Sequence, residues 1–422
     1  MDQLTPEFAT HRAVEAVWRI EAARLVAGLA KMTRDVGLAE ELASDALVVA
    51  LQQWPQTGIP GNPGAWLTQT AKRRAIDQFR RRKVLAQKLP GLTYEKELRE
   101  QEPPDYDTAL DDDVKDNVLS LIFTACHPIL PPEARSALTL RLVGGLTTAE
   151  IARAYLVPEP TIQQRIVRAK KTLAEAHVSF EVPRGADRVQ RLGSVLEVLY
   201  LIFNEGYSAT AGDDWLRTEL CDEALRVGRI LAQLAPDEPE VYGLVALMEI
   251  QSSRSGARVA ADGTPILLLE QDRGKWNQIL IRRGLSALAR VEKLGGWVGP
   301  YALQAAIAAC HARAGRAADT DWRKIADLYD DLAQVTPSPV VELNRAVAHS
   351  MAFGPEAGLR IIEPLADLPT LRGYHLLPSV RGDFLNRLGR FDEARSEFRR
   401  AAEMTQNRRE RDLLLKRAAG QA

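Results

Sequence analysis

Residues 161–171, TIQQRIVRAKK, bring carboxamide, guanidinium and ammonium groups together at helical spacing. Gln163, Gln164 and Arg165 suit base edges, because a carboxamide pairs with adenine and a guanidinium with guanine in the major groove. Thr161, Arg168 and Lys171 suit phosphate oxygens, contacts that position a protein on a duplex without reading its sequence. Ile162, Ile166, Ala169 and Leu173 recur at helical period and define a separate apolar stripe. Alone, the pattern also fits an ordinary helical hairpin with a solvated charged face.

The elements that must position these side chains are legible just upstream. Thr147-Thr148-Ala149-Glu150 is a capping box, in which Thr147 accepts from the Glu150 N–H and Glu150 reaches back to the Thr147 N–H. Ile151, Ala152, Tyr155 and Leu156 give the helix that follows a short apolar face. Pro158 disfavours helical geometry at Val157 and forces an exit, and Pro160 suits the first turn of the next helix. A short helix, a turn and an amphipathic helix with a Gln/Arg/Lys face form a helix-turn-helix able to lie in a major groove.

A chain of 422 residues implies roughly two to four domains. Its 46% hydrophobic and 26% charged residues are ordinary for a globular protein with real cores. The net charge of −1 conceals opposed blocks. Lys72, Arg73, Arg74, Arg80, Arg81, Arg82 and Lys83 crowd one segment; nine acids between Glu95 and Asp113 crowd the next. That asymmetry points to nucleic acid where the total does not. Cys126, Cys221 and Cys310 are far apart and form no CxxC pair, which argues against a disulfide framework or a zinc site. No Walker A loop, GxGxxG after a strand, HExxH or GxSxG occurs, so no catalytic residue, metal or cofactor is expected. MDQLTPEF lacks a signal pattern and no apolar run reaches membrane length, so the expected compartment is the cytoplasm, with no membrane contact.

The expected fold class is all-α. Helices are predicted over 12–31, 37–54 and 64–83, the last two separated by the Pro/Gly loop PQTGIPGNP (55–63). Trp54 is expected in the core. Glu40, Glu41, Ser44 and Asp45 share one side of the second helix, opposite Leu38, Leu42, Ala46, Val49 and Ala50. Residues 85–113, acidic and without a period, read as a linker. Boundaries follow at 1–84, 85–113, 114–178 and 187–418. The last segment is helical throughout, broken at Pro236/Pro239, Gly295-Gly296, Pro337/Pro339 and Gly354-Pro355, with Asn204-Glu205-Gly206-Tyr207 as a turn that ends a helix. GDFLNRLGRFDEARSEFRRAAE (382–403) fits a tetratricopeptide-type helical pair: Gly382 and Ala394 allow close packing and Phe398 fills the gap. Residues 341–365 are a weaker copy. An irregular helical bundle explains the pattern almost as well.

The order acidic-faced helix, Pro/Gly loop, basic helix, acidic linker, helix-turn-helix resembles the extracytoplasmic-function sigma factors of bacterial RNA polymerase. LAEELASDALVVAL (38–51), NPGAWLTQTAKRRAIDQFRRRK (62–83) and GLTTAEIARAYLVPEPTIQQRIVRAKKTL (145–173) look like the family's regions 2.2, 2.3–2.4 and 4.2. VLYLIFNEGYSAT (198–210) and the helical tail resemble the subgroup with a tetratricopeptide-like C-terminal extension.

The resemblance implies two partners, core RNA polymerase and promoter DNA. Glu40, Glu41, Ser44 and Asp45 would dock on the polymerase clamp, with Ser44-Asp45 standing where family members commonly carry Gln-Glu. Asn62 would read the separated −10 strand, Trp66 could stack on it, and Lys72, Arg73, Arg74, Arg80 and Arg81 would hold its backbone; a tryptophan at such a position also suits a core. Thr161, Gln163, Gln164, Arg165, Arg168 and Lys171 would contact the −35 element, with Leu156 where relatives usually have Gly at the turn. The linker would pass toward the RNA exit channel. The tail would regulate the sigma core in cis, and a regulatory protein could dock on it. Two other readings exist. A stand-alone helix-turn-helix regulator with a helical sensor domain leaves the 2.2-like helix and the −10 loop without a job. A helical scaffold or enzyme leaves the ordered motifs unexplained.

Overall fold

The computed structural model describes residues 6–88, 114–155, 157–207, 218–260, 266–296, 299–366, 368, 371–405 and 408–420. The expected acidic linker falls largely outside these. Among the described residues the fold is all-α. The chain divides into two compact units, Met1–Val198 and Leu199–Ala422.

The first unit holds α1 (Pro6–Thr33), α2 (Val36–Thr57), α3 (Pro63–Lys88), α4 (Val114–Ala125), α5 (Pro132–Leu142), α6 (Thr148–Tyr155) and α7 (Glu159–Glu175). The starts of α2 and α3 have local causes. Asp35 accepts from the N–H groups of Gly37 (2.7 Å) and Leu38 (3.1 Å) and so caps α2. Asn62 Oδ1 accepts from the Ala65 N–H at 3.0 Å and caps α3, whose first residue is Pro63. α3 runs on through 85–88, into the stretch read as linker. α1 packs on both α2 and α4, and Leu25, Leu29, Leu42, Leu121 and Ile122 of these helices are buried. Trp54 is buried, as expected, with its ring edge on Trp66 at 5.3 Å.

α8 (Gly185–Tyr207) begins in this unit, and the division falls inside it. Ser194 accepts from Arg135 Nη1 (2.5 Å) and donates to the Cys126 carbonyl (2.6 Å). Arg191 Nη2 donates to the Phe123 carbonyl. The first unit therefore extends past the helix-turn-helix and uses the start of the segment read as tail. Asn204-Glu205-Gly206 lie in the last turn of α8, which ends at Tyr207.

The second unit continues with α9 (Thr218–Leu234), α10 (Pro239–Ser252), α11 (Gln278–Lys293), α12 (Pro300–Arg313), α13 (Trp322–Val335), α14 (Pro339–Phe353), α15 (Pro355–Ile362), α16 (Leu376–Arg387), α17 (Phe391–Met404) and α18 (Arg408–Ala418). All four sets of Pro/Gly breaks fall between helices, because proline starts a helix where its missing donor costs nothing. Ser255–Ala257 and Arg273–Lys275, expected to lie in long helices, are instead single 3-10 turns, and buried Arg273 donates to the carbonyls of His311 and Ala314 and to Thr320. A Cβ on Gly382 would sit 2.9 Å from the Phe398 ring, and one on Gly358 would sit 2.6 Å from Phe384. Small residues thus let consecutive helices cross closely, as the spacing of 382–403 anticipates. From α12 onward each helix packs on the next in sequence, and α12 packs also on α10, two helices back.

Candidate nucleic-acid interface

The capping box forms as read. Thr147 Oγ1 accepts from the Glu150 N–H at 3.1 Å, and Glu150 Oε2 accepts from the Thr147 N–H at 2.8 Å. Burial raises the Glu150 pKa, but the Thr147 N–H and hydroxyl, which donate to its Oε2 at 2.8 and 2.9 Å, and Arg19, 2.7 Å away, outweigh it and hold the carboxyl below its ordinary value. Pro158 occupies the N-cap position of α7 without a side-chain capping bond, and Glu159 accepts from Thr148 Oγ1 at 2.7 Å, tying the two helices across the turn. Ile162, Ile166, Ala169 and Leu173 are buried. Gln163, Gln164, Arg168 and Lys171 are exposed, and Thr161 and Arg165 are half-buried. Glu159 also lies 3.4 Å from Gln163 Nε2.

The −10 candidates spread over the loop and α3. Asn62 is exposed at the end of the Pro/Gly loop. Its carbonyl oxygen is spent on the helix cap, which leaves the amide N–H2 to face a ligand. A recess of about 260 Å3 opens beside it, lined in part by Glu21, Arg24, Thr68 and Asn117. Arg73, Arg74, Arg80 and Arg81 are exposed and Lys72 is half-buried. Trp66 is half-buried against Trp54, an edge contact rather than an open stacking face.

The acidic face of α2 is not uniformly exposed. Glu41 and Asp45 are exposed, and Asp45 accepts from Arg74 at 2.7 Å. Glu40 is only 9% exposed. Its Oε1 accepts from Arg141 Nε (2.8 Å) and Nη2 (2.5 Å) and from Ser44 Oγ (3.1 Å), and its Oε2 from Lys170 Nζ (2.5 Å). Burial opposes its ionisation, but Arg141 and Lys170 prevail and lower its pKa. Periodicity alone places Glu40 on an open face. Its partners come from α5 and α7, far along the chain, and no local pattern marks Arg141.

All three cysteines are buried, and desolvation pushes the Cys126 and Cys221 thiols up to about 12. Among the described residues no three His, Cys, Asp or Glu side chains gather as a metal site, and no helix is long and apolar enough to cross a membrane.

Comparison with known families agrees with this geometry. Residues 20–84 match sigma-70 region 2, residues 120–173 match sigma-70 region 4, and residues 191–292 match a family of unknown function (DUF6596). An uncharacterized protein of Rhizobium meliloti (strain 1021) is 43% identical over 379 residues, spanning 90% of this chain and 89% of its own length. With region 2 on α1–α3, region 4 on α4–α7 and a helical extension beyond, the chain belongs to the sigma-70 family: it is a sigma factor, built for promoter recognition.

Proposed function

We propose that this sigma factor reads its promoter with two separate surfaces and is regulated in cis by its own helical extension. The outer row of α7 reads the −35 duplex. Gln163, Gln164 and Arg165 address bases, and Thr161, Arg168 and Lys171 hold phosphates. Asn62 and the recess beside it take an unpaired −10 base, with Arg73, Arg74, Arg80, Arg81 and Lys72 along its backbone. Glu40, Glu41, Ser44 and Asp45 form the contact to core polymerase, in the cytoplasm, and no enzymatic step belongs to the chain.

The observation that carries the reading is the split of α7, whose apolar stripe is buried while Gln163, Gln164, Arg168 and Lys171 stand exposed with Arg165 half-buried among them. Run-off transcription with bacterial core polymerase on the promoter of this protein's own operon tests it. Transcripts that require the added chain support it. Absence of both transcript and co-elution with polymerase rejects it in favour of a stand-alone regulator.

A further inference from the structure

The second unit carries a charged surface that promoter reading by α3 and α7 does not use. On α11, Arg282, Arg283, Ser286, Arg290 and Lys293 share one side, because residues three, four and seven apart return to the same face of a helix. Arg282, Arg283, Ser286 and Lys293 are exposed, and Arg290 is half-buried. The opposite side is shut. Ile281, Gly284, Leu288 and Val291 are buried. A Cβ on Gly284 would sit 2.5 Å from Ile250 of α10, so the two helices touch closely. From Arg282 to Lys293 the row is about 17 Å long, at about 1.5 Å per residue.

These cations are not balanced locally. Elsewhere in the unit exposed arginines meet a carboxylate one turn away, as Arg316 meets Asp319, Arg390 meets Glu393 and Arg395 meets Asp392. Among the described residues no carboxylate comes within ion-pairing distance of Arg282, Arg283, Arg290 or Lys293. Arg290 is steadied instead by the Pro236 carbonyl at 3.2 Å and by the Tyr242 ring. Glu292, the acid in α11, lies on another side of the helix. The helix dipole favours Arg290 and Lys293, which stand in the last turn. It offers nothing to Arg282 and Arg283, nearer the other end.

We infer that this row of α11 holds backbone phosphates of double-stranded DNA upstream of the −35 element. The inference rests on the reading of α7 as the −35 helix. Duplex DNA carries one negative charge per about 1.7 Å of its axis, so a row of fixed cations meets several phosphates at once. The planar fork of an arginine matches phosphate oxygens. The extension is tethered to the −35 reader: residues 176–184 join α7 to α8, and α8 runs on into the second unit. Region 2 takes the downstream side with the −10 element, which leaves the upstream flank free. A phosphate contact there adds affinity without adding sequence preference.

Holoenzyme formed from the full chain and bacterial core polymerase tests this on two duplexes from the promoter of the protein's own operon. One duplex ends at the −35 element; the other continues upstream by about 30 base pairs, three helical turns. On the longer duplex wild type should lose about ten-fold more affinity than Arg282→Gln/Arg283→Gln between about 50 and 200 mM salt, the effect of two phosphate contacts. On the shorter duplex the two should match. Scrambling the upstream sequence should leave the difference intact. Arg282→Lys/Arg283→Lys should follow wild type, and Arg316→Gln, which removes an arginine already paired with Asp319, should change nothing. Equal salt dependence for wild type and the glutamine variant on the longer duplex overturns the contact and leaves promoter reading standing. So does a loss of the same size on both duplexes, which marks a protein partner of α11 instead. Binding of neither duplex by wild-type holoenzyme overturns the promoter reading, and the contact with it.

Discussion

Arg141 meets Glu40 through two nitrogens, Nε at 2.8 Å and Nη2 at 2.5 Å, both directed at the same carboxylate oxygen. Lys170 takes the other oxygen. Removing the acid leaves two half-buried cations facing each other. Glu40→Ala should cost the first unit about 3 kcal/mol, the scale of breaking a buried ion pair from one side. Urea unfolding of that unit measures it.

The same group predicts an acid limb. The pKa of Glu40 is lowered from its ordinary 4.5 by Arg141 and Lys170 against the opposing effect of burial. Its contribution is present above 4.5, the unfolded-state value, and is lost as pH falls through the lower folded-state value. Glu40→Gln should flatten the stability profile in that range. A variant profile parallel to wild type would remove Glu40 from the account.

Arg165 offers the test of base reading. Arg165→Ala should lose −35 discrimination by about 1–3 kcal/mol per lost base contact, with little change in core polymerase binding. Promoter variants scored by run-off transcription give the position affected. Lys171→Ala should instead weaken binding across all sequences and lower its salt dependence.

Truncation has a boundary that the structure supplies. Ending the chain at residue 180 strips Arg191 and Ser194 from the first unit and deprives buried Arg135 of its Ser194 and Glu197 partners. Residues 1–207 keep all three contacts. The shorter chain should unfold at lower urea than 1–207, and only the longer one gives a fair reading of what the extension does to transcription. Equal midpoints would refute the shared use of α8.

In the second unit, His311 is buried and neutral. Burial first, then Arg254 and Arg273, depress its pKa from 6.5 to about 4. An unfolded chain takes up a proton at 6.5 that the folded chain refuses, so stability falls as pH drops from 6.5 toward 4 and is unaffected above 6.5. The loss is about 3 kcal/mol at its limit. Hydrogen exchange of α12 amides at pH 7 and pH 5 should show it, and His311→Phe should abolish the slope.

Much of this molecule is written locally. Thr147 and Glu150 announce the start of α6 three residues apart, and the prolines and glycines between tail helices act on their own backbone neighbours, so short stretches decide them. The alternation of Ile162, Ile166, Ala169 and Leu173 with Gln163, Gln164 and Arg168 is one helix turned through 100° per residue, and it separates a buried stripe from an exposed row without reference to the rest of the chain. The 3-10 turn Arg273–Lys275 escapes such reading because the carbonyl and hydroxyl partners of Arg273 lie 38 to 47 residues away. Glu40 escapes it more fully. By period it belongs with Glu41 and Asp45, but Arg141 and Lys170 stand 101 and 130 residues along. The packing of α1 on α4 and α5, and of α7 on α2, brings those cations to α2, and a carboxylate's surroundings are set by what the core delivers to it, not by its own helix.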